Sequence, residues 1–113
     1  MKSECWVDIH EFGGCYLGET GYPGLSDSQI KEKYPTVDLP KDVDLSKGWW
    51  KLDRKETEDE LKDRVKRVVD RLKELAIGHD ENHTVLLISH GAFLNYFFST
   101  LTQSECLVDS KIF

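Results

Sequence analysis

The stretch TVLLISHGAFLNYFFSTL, residues 84–101, constrains this chain more than any other. Four apolar residues, Val85 to Ile88, follow one another without alternation, the pattern of a strand covered on both faces in a parallel sheet. Directly behind His90 and Gly91, Phe93, Leu94, Phe97, Phe98 and Leu101 fall at helical spacing. Upstream, TEDELKDRVKRVVDRLKELAIG carries the signals of a long helix. Thr57 and Glu60 form a capping box, and acidic residues fill the first turn, where the helix dipole favours them. Leu61, Val65, Val68, Val69, Leu72, Leu75 and Ala76 make one apolar stripe, and Gly78 is placed to end the helix. The many charges read as its solvated face. Helix, strand, helix is the grammar of an α/β fold.

The first half is less regular. Cys5 to Ile9 is a short candidate strand, and HEFGGCYLGETGYPG reads as a glycine-rich loop. Ser26 and Gln29 form a second capping box, with Leu25 and Ile30 as its hydrophobic staple, predicting a short helix from about Asp27 to Tyr34, stopped before Pro35. Residues 35–55, with Pro40, Gly48 and the pair Trp49–Trp50, read as an irregular covering excursion. The expectation is one domain spanning residues 1–113.

A formal charge of -6 argues against a general nucleic-acid or membrane-surface role. Nothing approaches a membrane-spanning run of about 20 apolar residues, and no secretory signal opens the sequence, so a cytoplasmic location is expected. Cys5, Cys15 and Cys106 have no metal-type spacing and read as free thiols of a reducing compartment.

His90 stands where an open α/β sheet places its ligands, at the carboxyl end of the predicted strand. Gly91 opens the next helix, whose free N–H groups attract anions and whose missing side chain lets a ligand approach the backbone. That pattern fits an anion pocket for phosphate, and it fits equally a turn that merely joins strand to helix. His79 and His83 flank an acidic connector and read as exposed loop residues. Glu11, beside His10 among glycines, can serve as a general acid or base if it faces a pocket. No recognisable spacing makes a metal site of His10, Glu11 and His90.

The segment TVLLISHGAFLNYFFSTL resembles the second-histidine motif of the histidine phosphatase superfamily, also called the phosphoglycerate mutase-like family. DIHEFGGCY is similar to the segment bearing that family's acid/base glutamate, and PGLSDSQIKEKYP, GWW and ET resemble a eukaryotic branch of it. The resemblance runs from about Val7 to Leu101. It implies a partial phosphoglycerate mutase-like three-layer α/β fold, with a mostly parallel sheet flanked by helices. It also implies phosphoryl transfer through a phosphohistidine, with no metal and no cofactor. Carried over, His90 is the second histidine, which stabilises charge on the transferring oxygens and binds substrate together with Gly91. Glu11 is the proton donor to the leaving group. The implied partner is a phosphorylated small molecule or a phosphoprotein.

The sequence departs from the family at one decisive point. It contains no Arg-His-Gly, the motif that supplies the nucleophile: its first histidine, His10, lies between Ile9 and Glu11. The reading is therefore of the carboxyl-terminal half of a catalytic domain, inactive alone, or else of a non-catalytic relic or interaction module. With few partner strands for TVLLIS, an exposed edge and an apolar surface are expected, to be covered by a missing amino-terminal segment or by another copy.

Overall fold

The computed structural model describes residues 2–78 and 84–103. The connector bearing His79 and His83, and Cys106, lie outside the described residues. Chain order gives a 3-10 turn at Val7–Ile9, a hairpin of β1 (Tyr16–Leu17) and β2 (Thr20–Gly21), then helices α1 (Asp27–Lys33), α2 (Glu58–Gly78) and α3 (Gly91–Gln103).

Local signals are realised where they were read. In α1 the Ser26 side chain accepts from the Gln29 N–H while Gln29 accepts from the Ser26 N–H, completing the capping box, and Ile30 is buried. At the start of α2, Thr57 N–H donates to Glu60 Oε1 at 2.9 Å and Glu60 N–H donates to Thr57 Oγ1 at 3.2 Å. Arg54 also grips Glu60, Nη1 to Oε1 at 2.7 Å. Arg54's hydrogen bond and the Thr57 N–H hold the Glu60 carboxyl down to about 2.

The core lies between two helices. Leu61, Val65, Val68 and Val69 of α2 are buried against Phe93 and Phe97 of α3. Trp6, Ile9, Phe12 and Leu87 pack around them. Burying these apolar side chains, each contributing about 1.5–3 kcal/mol, is the main stabilisation available to so small a unit.

The excursion is irregular, as expected, but well fastened. Backbone bonds join Asp27 N–H to Leu45 O (3.1 Å) and Trp50 N–H to Pro23 O (3.0 Å). Leu45 and Trp50 are buried. Trp50 lies so close to Gly14 that a Cβ there would come within 2.4 Å of the indole, and the Gly14 backbone has φ +81°. Both facts restrict that position to glycine. Trp49 and Trp50 bracket the His10 ring, with centroids 5.0 and 5.3 Å away.

One expectation is met only in its coarser form, and two are corrected. First, the described residues contain one two-stranded antiparallel sheet, not a mostly parallel one. Three helices with this hairpin are compatible with a partial α/β fold. Residues 84–90 enter no ladder among the described residues. Their outward side chains are bare: Val85 is 52%, Leu86 72% and Ile88 76% exposed. Leu87 and Ser89, on alternate positions, are half-buried. The run has the pattern of a strand covered on both faces, but only one face meets helices, which leaves the apolar surface expected of a partial fold. Second, Cys5 to Ile9 is not a strand. Cys5 N–H bonds to Asp38 O at 2.8 Å, but the chain then turns, its Asp8 and His10 carbonyls drawn to Arg64. Third, Arg64 does not belong to a solvated face of α2: it is 2% exposed.

Candidate functional site

Four consecutive residues, Asp8 to Glu11, are each fastened from elsewhere in the chain. Arg64 Nη1 donates to Asp8 O at 2.6 Å and to His10 O at 2.9 Å. Between them, Ile9 O accepts from Ser89 Oγ at 2.6 Å. Glu11 then reaches the first turn of α3: Oε1 accepts from Phe93 N–H at 3.0 Å and Oε2 from Ala92 N–H at 3.3 Å. Its own neighbour Phe12 N–H also donates to Oε1, at 2.7 Å. His90 O accepts the first helical bond, from Leu94 N–H at 2.9 Å.

Thus the Glu11 carboxylate lies at the start of α3, directly behind His90 and Gly91 in the chain. His90 and Gly91 are exposed, and Glu11 is half-buried. The free N–H groups expected to attract a phosphate here hold a carboxylate of the chain itself. This is the interaction of an anion with a helix amino terminus. Partial burial pushes the Glu11 carboxyl upward. The N–H groups of Phe12, Phe93 and Ala92 and the charge of His90 together outweigh it, so the group sits below the ordinary carboxylate value.

The sign of that shift gives a pH prediction. A carboxyl held low in the folded state contributes stability above its ordinary value of 4.5, and that stability is lost as pH falls through the folded value. Thermal midpoints between pH 6 and 3 are expected to fall less for Glu11→Gln than for the native chain. Superimposable acid limbs in the two proteins would refute a stabilising Glu11 anion.

Beneath the site lies a buried charge network that sequence reasoning missed. Glu56, 6% exposed, takes Arg64 Nε on Oε2 and Nη2 on Oε1, both at 2.8 Å. Glu56 Oε1 also accepts from Gly13 N–H at 3.3 Å, and Glu56 N–H donates to Gly13 O at 2.9 Å. The Arg64 guanidinium lies 4.9 Å from the centre of the Phe93 ring. A signal was present in the sequence: Arg64 falls on the apolar stripe, three residues after Leu61 and four before Val68.

His10 lies beside the network, its carbonyl bound by Arg64 and its ring between Trp49 and Trp50. Its Nδ1 is 2.8 Å from Glu11 O. Burial, then the nearby Arg64 charge, lower its pKa, against the opposing Glu11 carbonyl, Glu56 and Asp8. Among the described residues, no three His, Cys, Asp or Glu side chains converge closely enough to share a metal ion. An open groove of about 620 Å³ lies elsewhere, between α2 and α3, with Lys62, Lys66, Lys73 and Tyr96 on its walls. Neither Glu11 nor His90 lines it. No described helix is long and apolar enough to cross a membrane.

Comparison with known proteins bears on this arrangement. The family model of the histidine phosphatase superfamily (branch 1) matches residues 17–106, which include His90 and Gly91 but not Glu11. No curated protein and no solved structure matches the chain significantly. A match over most of the sequence, running through the excursion, the long helix and the Ser89-His90-Gly91 turn, makes the chain a member of the histidine phosphatase superfamily.

Proposed function

We propose that this chain supplies the second-histidine part of a phosphoryl-transfer site acting on phosphate esters. Its nucleophile would come from an Arg-His-Gly segment outside these 113 residues. The observation that carries the reading is the superfamily match across His90, joined to the Glu11 carboxylate held on the α3 N–H groups directly behind His90 and Gly91. Phosphoryl transfer is helped mainly by positioning and by positive groups around the transferring oxygens. His90 is the positive donor, Gly91 the point of close backbone approach, and Glu11 the acid for the leaving oxygen. A phosphate dianion displacing the carboxylate from the α3 N–H groups would raise the Glu11 pKa, as neighbouring like charge and lost hydrogen bonds both do. The partner is a phosphorylated small molecule or a phosphoprotein, met in the cytoplasm.

The experiment compares the chain alone with a form carrying an upstream Arg-His-Gly strand, using p-nitrophenyl phosphate. The chain alone is expected to show negligible turnover, because the covalent route is missing. The longer form should trap acid-labile phosphate on the upstream histidine, and His90→Ala should cut its kcat by about 10²–10³. Label on His90 itself would overturn the assignment of roles.

One observation favours the second reading, a non-catalytic interaction module. Glu11 is held ionised by three N–H donors, whereas a carboxyl serving as general acid is ordinarily shifted upward. A longer form that binds phosphate esters without any turnover would establish it.

A further inference from the structure

We propose that Arg64 is a positioning residue, whose guanidinium sets the place of Glu11 relative to His90 by touching both sides of the site at once. The inference rests on the roles proposed above for those two residues. On one side Arg64 Nη1 donates to Asp8 O and His10 O, which fixes the backbone immediately before Glu11. On the other its guanidinium carbon lies 4.9 Å from the centre of the ring of Phe93, whose N–H is one of the donors to the Glu11 carboxylate. Glu56 completes the bracket by taking Nε and Nη2.

Geometry explains why arginine serves here. The fork presents five N–H donors in one plane: Nε and Nη2 take the Glu56 carboxylate together, while Nη1 serves the Asp8 and His10 carbonyls. Lysine offers a point charge on a flexible stem and cannot reproduce that set. Arg64 has no path to a substrate: it is 2% exposed, and its charge is taken up by Glu56. Its influence on chemistry therefore runs through Glu11, and through Ser89, which holds the Ile9 carbonyl beside His90.

Positioning can be separated from mere support of the fold. The pair variant Glu56→Gln/Arg64→Met removes both buried charges while roughly keeping their bulk, so neither charge is left buried without its partner. It removes the donors to Asp8 O and His10 O. The expected result is recovery of most of the thermal stability lost in Arg64→Met alone. In the same folded protein, the Glu11 carboxyl, followed by carbon-detected NMR, should return toward its ordinary value of 4.5. The Ala92 and Phe93 amides should exchange about tenfold faster or more, the equivalent of one lost hydrogen bond. An unmoved Glu11 titration and unchanged exchange in the folded pair variant would overturn the proposal. Arg64→Lys, which keeps a charge opposite Glu56, provides the same two readouts without removing the ion pair, and identical values to native would likewise overturn it. Neither readout uses a phosphate ester, so its outcome is independent of whether the site proves catalytic.

Discussion

Replacing Glu56 with alanine is expected to destabilise the fold by about 3–5 kcal/mol, the cost of breaking a buried ion pair from one side. Glu56 is the carboxylate that neutralises Arg64, and both are almost wholly buried, at 6% and 2% exposure. Without it the guanidinium keeps only the Asp8 and His10 carbonyls, and Gly13 N–H loses a partner. Small domains hold about 5–15 kcal/mol in total, so the variant should lose much of its margin. Urea unfolding followed by far-ultraviolet circular dichroism reads the effect as a lowered midpoint. A loss below about 1 kcal/mol, the range of exposed pairs, would mean that water reaches Arg64.

Phe93→Ala carries a comparable penalty, about 3–5 kcal/mol, by a different route. The ring is 0% exposed, stacks on Phe97 with centroids 6.2 Å apart, and faces the Arg64 guanidinium. Truncation leaves a cavity where α2 and α3 meet, and the surrounding side chains cannot fully close it. Leu86→Ala makes the contrast. That side chain is 72% exposed, so its loss should change stability by no more than about 0.5 kcal/mol in the isolated chain. A large Leu86 penalty there would show that residues 84–88 are covered in solution.

The two kinds of information in this sequence were unequally legible. Capping boxes at Ser26–Gln29 and Thr57–Glu60 are written within four residues, and both are present. The apolar stripes of α2 and α3 were legible because 3.6-residue periodicity is local. What the run at 84–89 pairs with is not local, and the same residues that would suit a central strand stand half bare. Arg64 was read as solvated because helix composition does not reveal burial, although its place on the stripe did. The candidate site divides the same way. The place of His90 and Gly91 at the start of α3 was legible from the junction of strand pattern and helix pattern. The attachment of Glu11 to the α3 N–H groups was not, because it joins residues 81 and 82 positions apart.

That separation has a kinetic meaning. The bonds that fasten residues 8–11 bridge between 54 and 82 positions, and α2 can form before any of them. Contacts that close such long loops are entropically costly early in folding and are made late. The opening turn of α3 is therefore completed by the arrival of a distant segment, and the two should come apart together. Native-state hydrogen exchange is expected to find the amides of the two segments opening as one unit. Opening that unit frees the Glu11 carboxylate from the Ala92 and Phe93 N–H groups and at the same time draws Phe93 away from α2, so release of the carboxylate is tied to loosening of the core.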